Sequence, residues 1–329
     1  MTANIYEGHN YLNQLFVSFS IIKTKEGDTM KNRTLFLPVL VISLLVLTAC
    51  GGNQVQQQTK GVFLGGTQGI SANFEAFGVA EGGIYSIFDT ETFPIEVTVR
   101  NKGEYDLKAS DVTVELAGID KSEISNVPSW QLKNKGTIEK ISELTPSGGE
   151  ETISFGSDAK YLPVVTGAME RKLFANLDFN YQTYLIIPEV CLKEDLKDTR
   201  ICNVKEKKNF FVSGAPITVT SVDEETAGQA IMALKIKIKN AGTGKVAKPN
   251  EDFTITDKLT YSMDDNAWEC KSTGKVNEAR LDKGEAEIIC KLKQALSKGT
   301  LSTKQVKMTF DYKYRDMIQE KIQIKQSTK

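Results

Sequence analysis

The chain has 329 residues, of which 41 are basic, 42 are acidic and one is histidine, so its formal net charge is −1. This balance gives no indication of a nucleic-acid or other polyanionic partner, which a strongly basic chain would favour. The length allows one large domain or two ordinary ones. The single histidine, His9, lies in a segment that we expect the mature protein to lack, which argues against Ser-His-Asp or Cys-His catalysis.

Residues 30–49 have the parts of a secretory signal peptide in the required order. The basic start Met30-Lys31-Asn32-Arg33 precedes an apolar core at 35–46, and small residues come before Cys50. The core is shorter than the ~20 residues that cross a bilayer comfortably. Met30, with two basic residues close behind it, also makes the better initiator. We therefore expect residues 1–29 to be an extension upstream of the true start.

The sequence Leu47-Thr48-Ala49-Cys50 resembles the lipobox of lipoprotein signal peptides. That resemblance implies cleavage before Cys50 and a thioether-linked diacylglycerol on its sulfur. Two acyl chains make a stable anchor, since each buried methylene contributes about 0.8 kcal/mol. The alternative is an uncleaved single-pass anchor, with Lys31 and Arg33 on the cytoplasmic side. Both interpretations place the rest of the chain on the extracytoplasmic side of the cell membrane.

Residues 50–60 are polar and rich in glutamine. Such a segment cannot bury a hydrophobic core, and this composition is typical of a flexible tether. We expect it to separate the folded part of the chain from the membrane.

After residue 60, apolar and polar residues alternate with a period of two, and helical periodicity is almost absent, so we predict an all-β chain. The clearest strand is 234–239, where aliphatic residues alternate with lysines that are expected on a solvated face. The other predicted strands, in chain order, are 95–100, 112–116, 152–155, 177–184, 209–212, 217–220 and 307–312. Turn residues such as glycine and asparagine separate them.

The chain repeats two patterns. Residues 95–103 and 234–242 each combine a strand with an Asn-x-Gly turn. A second pattern in the sequence aligns Phe179 and Tyr181 with Phe310 and Tyr312. The two halves of the chain therefore begin and end with the same patterns, which favours two domains of one architecture.

We therefore predict two antiparallel β-sandwich domains in tandem, at 61–213 and 214–329. The link Ser213-Gly214-Ala215-Pro216 is typical of a short, fairly stiff joint. The segment from Ile119 to Trp130 is expected to form a loop that caps one end of the first sandwich.

Two predicted strands end in an Asn-x-Gly turn, at Asn101-Lys102-Gly103 and at Asn240-Ala241-Gly242. Strands that end in this way resemble those of the immunoglobulin-like modules of prokaryotic cell-surface proteins, including the cell-adhesion-related type. This resemblance implies tandem immunoglobulin-like sandwiches that serve adhesion, spacing or ligand presentation, and it transfers no catalytic residue. The inter-sheet cysteine pair with a tryptophan between, as in antibody domains, is not met, because Trp268 precedes both Cys270 and Cys290.

Besides Cys50 the chain has an even number of cysteines, which favours disulfides in an exported protein. Of three possible pairings, the simplest joins Cys191 to Cys202 across a short charged loop and Cys270 to Cys290 on neighbouring strands. The competing interpretation is a four-cysteine zinc site. Such sites usually contain closely spaced C-x-x-C pairs, which are not present here.

Two groups of carboxylates are candidates for chemical sites. The pairs Glu224-Glu225 and Asp264-Asp265 could serve glycosidase-like chemistry, which needs no histidine. The residues around Asp264, however, are more typical of a turn. Calcium is the one metal retained, since oxygen ligands on sandwich loops suit it; the candidate ligands are Glu194, Asp195, Asp198, Asp264 and Asp265.

Trp130 is the candidate ligand contact, because it follows Pro128 in a polar loop without an alternating pattern that would bury it. We expect a lipid-anchored extracytoplasmic binding or adhesion module without catalysis, whose partner is a protein or a surface glycan, and no required cofactor. The alternative is a structural spacer or a subunit of a cell-envelope assembly. An enzyme would need a polar pocket, and a solute receptor alternating α/β units, neither of which the sequence displays.

Overall fold

The computed structural model describes residues 61–328. Regular structure in this range is β-strand, apart from the short 3-10 helix Lys121–Glu123, so the predicted all-β class is confirmed. Within the same range, no helix has the length and apolar character to cross a membrane. The predicted signal peptide, Cys50 and the tether at 50–60 lie outside the described residues. The described residues, 61–328, group as one compact unit.

The strands are numbered in chain order. Those before the predicted domain boundary are β1 (Ile70–Phe74), β2 (Val79–Glu81), β3 (Ile84–Phe88), β4 (Phe93–Asn101), β5 (Val112–Ala117), β6 (Ile124–Ser125), β7 (Gln131–Lys133), β8 (Glu150–Tyr161), β9 (Ala168–Lys193), β10 (Glu206–Lys207) and β11 (Phe211–Val212). Those after it are β12 (Ile217–Gly228), β13 (Ile231–Asn240), β14 (Lys245–Ala247), β15 (Lys258–Met263), β16 (Trp268–Ser272), β17 (Lys275–Val276), β18 (Glu278–Arg280), β19 (Glu285–Leu292) and β20 (Leu301–Lys325).

The strands of the described range form three sheets. The first sheet has the order β1-β4-β8-β6, and the second has the order β10-β12-β13-β19-β16-β17. The third, here called the shared sheet, has the order β18-β15-β20-β9-β5-β7, with β3, β11 and β14 paired alongside and β2 paired to β3. Buried residues of all three sheets belong to one hydrophobic cluster.

The shared sheet is built on two unusually long strands. β9 has 26 residues and β20 has 25, and they pair antiparallel from Ala168 opposite Lys325 to Lys193 opposite Leu301. At ~3.3 Å per residue this pair is about 80 Å long. β9 belongs to the first predicted domain and β20 to the second. The two predicted domains therefore share a sheet.

Alternation along β13 explains why its sequence forms a strand. Leu234, Ile236 and Ile238 are fully buried. The lysines that alternate with them at 237 and 239 are exposed. Successive side chains of a strand point to opposite faces, so this pattern buries one face and solvates the other. The solvated lysine face predicted from the sequence is thus confirmed.

Asn101 and Asn240 form equivalent turns at the ends of β4 and β13. The side-chain oxygen of Asn101 accepts hydrogen bonds from the glycine amide two residues on and from the Tyr181 hydroxyl, each at 3.1 Å. That of Asn240 accepts the same two bonds, at 3.2 Å from its glycine and 3.1 Å from Tyr314. A Cβ on either glycine would overlap the tyrosine hydroxyl, so the turn requires glycine there.

These bonds make Tyr314 the structural counterpart of Tyr181, whereas the sequence pattern aligned Tyr181 with Tyr312. In the structural alignment Asn180 corresponds to Lys313, and the strand register places those two residues directly opposite each other. A local two-fold axis therefore passes between Asn180 and Lys313, and it relates β9 to β20. The internal repeat folds as two halves around this axis.

A buried carboxylate fixes the point where the chain enters the described fold. Glu104 accepts hydrogen bonds from the backbone amides of Leu64 (2.9 Å), Gly65 (2.9 Å) and Gly214 (2.7 Å). It therefore joins the first described segment to the link between the two halves. Since the Tyr181 hydroxyl lies against the adjacent turn, this clamp sits beside the middle of β9.

Candidate functional site

The middle of the shared sheet presents a row of half-buried and exposed side chains on the face opposite its core. We call this row the central outer face. The alternating, fully buried residues of the same strand segments include Tyr181 and Tyr312. The central outer face consists of Asp178, Asn180, Gln182 and Tyr184 on β9, and of Thr309, Asp311, Lys313 and Arg315 on β20.

One side of the local axis carries a neutralised ion pair. Arg315 donates two hydrogen bonds to the Asp178 carboxylate, from Nε at 2.5 Å and from Nη2 at 2.6 Å. Phe253, from the loop between β14 and β15, lies with its ring centroid 4.4 Å from the Arg315 guanidinium and 4.7 Å from the Lys313 ammonium. A planar guanidinium is suited to this combination of a carboxylate and an aromatic ring.

On the other side of the axis, an aspartate again occupies the equivalent position, but no arginine lies opposite it. In the alignment that equates Tyr181 with Tyr314, Asp178 corresponds to Asp311, and Arg315 corresponds to Gln182. The Gln182 amide donates to Asp311 Oδ1, and its oxygen accepts a 2.6 Å bond from the Tyr184 hydroxyl. Among residues 61–328, no lysine or arginine nitrogen forms a salt bridge with Asp311.

Burial controls the electrostatics of this side. It raises the pKa of the Asp311 carboxyl, and the bond from Gln182 offsets this only in part. The pKa values of the Tyr105 and Tyr184 hydroxyls are raised first by burial and then by nearby negative charges, that of Asp311 included. The Phe63 ring stacks near Tyr184 at a centroid distance of 6.5 Å. The result is an electronegative position bordered by aromatic rings.

Trp130, the predicted ligand contact, lies immediately before β7. Its side chain is half-buried and packs against the hydrophobic cluster, and the Lys121 ammonium lies 5.9 Å from its ring centroid. The structure does not bring Trp130 together with the central outer face in any described contact. Its role in ligand binding stays a prediction.

Both predicted disulfides are present. Cys191, near the end of β9, is bonded to Cys202 across the charged loop. Cys270 on β16 is bonded to Cys290, its direct partner on β19. The simplest of the three pairings is therefore confirmed, and each bridge lies within one half of the fold.

The candidate carboxylates have protein partners. Asp198 bonds to Arg200, which holds its pKa at about 2, and Asp265 bonds to Lys304 at 2.8 Å. Asp264 accepts a bond from the backbone amide of Lys307. Within the described range, no group of three or more histidine, cysteine, aspartate or glutamate residues is arranged to hold a metal ion.

Glu224 and Glu225 do not act as a pair, since they point to opposite faces of β12. The Glu224 side chain is buried, accepting bonds from Lys208 Nζ (2.7 Å) and the Cys191 amide (3.1 Å), whereas Glu225 is half-exposed near Lys235. The second oxygen of Glu224 has no hydrogen-bond partner among the described residues. Glu224 thus ties β12 to the end of β9 beside the first disulfide.

A cleft of about 580 Å³ lies over β16 and β19, on the solvent side of the second sheet. Two of the carboxylates that line it form ion pairs, Glu269 with Lys271 at 2.8 Å and Glu285 with Lys239 of the adjoining strand at 3.4 Å. The carboxylates that line this cleft are exposed, whereas Asp311 on the central outer face is half-buried.

Similarity to known proteins is remote. The chain matches no protein-family model and no curated protein. Among solved structures, it matches the secreted serine protease VesC from Vibrio cholerae at 10% sequence identity and a TM-score of 0.19, over 77% of this chain and 51% of the protease. The chain thus spans about half the length of that protein. This likeness carries no argument about fold or activity.

Asp311 and Gln182 were not predicted as site residues from the sequence. Both lie in predicted strands, where alternating polar residues normally indicate a solvated face. The available signal was the internal repeat: when Tyr181 is aligned with Tyr314, Asp178 and Arg315 have Asp311 and Gln182 as counterparts. Aligning Tyr181 with Tyr312 instead conceals this replacement.

Proposed function

We propose that the chain is a lipid-anchored extracytoplasmic binding or adhesion module without catalytic activity, formed by two immunoglobulin-like sandwiches on the shared sheet. The observation that carries the proposal is the central outer face, where half-buried charged and aromatic side chains gather on the side of the sheet away from the core. Binding sites differ from ordinary solvated faces in this way, because their polar groups are partly desolvated before a ligand arrives.

Localisation outside the cytoplasm has two independent supports. Disulfides persist in oxidising compartments, and two are formed within residues 61–328. The lipobox-like sequence ending at Cys50 supports a membrane anchor on the same side. Intact mass and membrane fractionation of the wild type beside Cys50→Ser would test the anchor: acyl mass that disappears in the variant is expected, and an uncleaved chain unaffected by the substitution would contradict it.

Binding through the central outer face can be tested by photo-crosslinking in intact cells. A photoreactive amino acid at Asn180, which is exposed at the local axis, is expected to form a discrete adduct with an envelope component. The same amino acid at Lys237, exposed on β13 of the second sheet, is the control. Adducts at both positions, or at neither, would contradict a binding role for this face.

A second candidate function is a spacer or a subunit of an envelope assembly. The specific observation in its favour is the continuous pairing of β9 with β20, because an 80 Å pair of strands (about 3.3 Å per residue) makes a stiff element. A spacer requires only the stiffness, so its function would tolerate substitution of the exposed residues of the central outer face. A binding module would not.

A further inference from the structure

We propose that Asp311 and Gln182 form a recognition site for a basic side chain of a protein partner, with the guanidinium of arginine as the preferred group. This inference rests on the proposed binding function and names the ligand class for the central outer face. The site lies where β9 and β20 meet, so each half of the fold contributes one of its two central residues.

The first argument is a template within the same molecule. Asp178 corresponds to Asp311 by the local two-fold axis, and Asp178 holds the Arg315 guanidinium with two hydrogen bonds. The strand register is the same around the two aspartates, with Arg315 directly opposite Asp178 and Gln182 directly opposite Asp311, so Asp311 lacks the cation that Asp178 has. The position opposite Asp311 is occupied by the shorter, neutral Gln182.

The second argument is the charge of Asp311. Gln182 supplies one hydrogen bond but no positive charge, and no arginine or lysine in the described range forms an ion pair with the carboxylate. A half-buried carboxylate with an incomplete set of partners is unfavourable in the isolated protein, and a cationic ligand removes that penalty. The nearest lysine on the same strand face, Lys313, instead lies over the Phe253 ring.

The third argument is the aromatic border. At the template, the guanidinium is stacked at 4.4 Å on Phe253. Tyr184, which is fixed by its bond to Gln182, and Tyr105 lie close enough to Asp311 for its charge to contribute to the raised pKa of each hydroxyl. The Phe63 ring stacks against Tyr184 at a centroid distance of 6.5 Å. Cations are attracted to aromatic faces, and arginine stacks on them more readily than lysine. The order arginine, then lysine, then neutral side chains is therefore expected.

The experiment is an NMR titration of the full chain carrying Cys50→Ser, which removes the lipid. The probes are N-acetyl-L-arginine amide and its neutral isostere N-acetyl-L-citrulline amide. We expect the arginine probe to shift resonances of Gln182 and Tyr184 and to bind at least about tenfold more tightly than citrulline, because a bond to a charged group is worth more than a neutral one. Equal binding of both probes, or no binding of either, overturns the proposal.

Two substitutions locate the site. Asp311→Asn is expected to reduce arginine binding about tenfold or more, and Gln182→Arg is expected to abolish it, because the new guanidinium pairs with Asp311 as Arg315 pairs with Asp178. Asp316→Asn removes an equal charge from β20 outside the central outer face and should leave binding unchanged. Unfolding midpoints of all three variants establish that they are folded, and unaltered binding by folded Asp311→Asn overturns the proposal.

This test separates the ligand class from the binding function. If the Asn180 photo-adduct forms while the arginine probe does not bind, the face binds a partner but the cationic ligand is wrong. A neutral methyl glycoside that shifts the same Gln182 resonances, with no response to arginine, would also overturn the cationic ligand and would point to a glycan.

Discussion

The Tyr181 hydroxyl donates to the Asn101 side chain at 3.1 Å, across 80 residues of sequence. This bond joins β9 of the shared sheet to the turn that ends β4 of the first sheet. Tyr314 and Asn240 make the same bond at the same distance in the other half. Each half thus uses one tyrosine to fasten its own sheet to the common one.

Removing these hydroxyls should destabilise the fold unequally. Tyr181 and Asn101 are both fully buried, whereas Asn240 is half-exposed, so water can replace the lost bond more easily around Asn240. We expect Tyr181→Phe to lower the free energy of unfolding by about 1–3 kcal/mol, and Tyr314→Phe by less. Urea unfolding curves measure both, and a larger loss for Tyr314→Phe would be inconsistent with this explanation.

Glu104 is expected to hold the first described segment in place. The Glu104 carboxylate accepts hydrogen bonds from three backbone amides, and Glu104→Gln replaces it with a neutral group that has one oxygen. The amide hydrogens of Leu64, Gly65 and Gly214 should therefore exchange with solvent about tenfold faster. The matched control is Glu151→Gln, since the Glu151 carboxylate accepts hydrogen bonds from two backbone amides in another loop. Equal exchange at Leu64 in wild type and Glu104→Gln would refute the clamp.

Each disulfide should stabilise its own half. The two bridges close sequence separations of 11 and 20 residues, for which chain entropy gives about 3 kcal/mol each. The double serine variants at Cys191 and Cys202, and at Cys270 and Cys290, should each lose about this much in denaturant unfolding. Non-reducing peptide mapping must recover both local pairs, and a Cys191–Cys270 peptide would disprove this pairing.

Glu278 predicts a pH dependence of stability. Lys248 and Lys275 each donate to its carboxylate at 2.8 Å, which lowers its pKa to about 2. Because the pKa is lowered in the folded state, these ion pairs stabilise the fold at pH values above the normal pKa of glutamate. This stabilisation is lost as the pH falls toward 2. Glu278→Gln should therefore melt below the wild type at pH 6 and together with it at pH 2. A difference independent of pH would mean that the carboxylate charge is unimportant.

Local patterns predicted much of the fold. The alternation of Leu234 to Lys239 identified β13, and the Asn-x-Gly turns identified the repeat. The full length of β9 and β20 was not predicted, because strand pairing is decided by distant partners rather than by local sequence. The polar residues near the start of β20, Ser302 to Lys304, have strand partners only because β9 continues beside them.

The candidate site was less predictable than the fold. A polar residue such as Gln182 in an alternating strand carries no local signal of function, and its meaning comes from its counterpart, Arg315. That comparison requires the correct alignment of the two halves, which the hydrogen bonds of Tyr181 and Tyr314 establish. Trp130 stood out in the sequence because it lacked alternation, yet it packs half-buried against the hydrophobic cluster.

The most direct test of this account is to produce residues 61–213 and 214–329 as separate chains. Because β9 and β20 pair along their whole length, and Gln182 and Asp311 lie on different halves, neither chain alone should give a cooperative thermal transition or bind the arginine probe. Co-expression should restore both properties. A cooperative transition for 214–329 alone would contradict the shared sheet and would support two independent tandem domains.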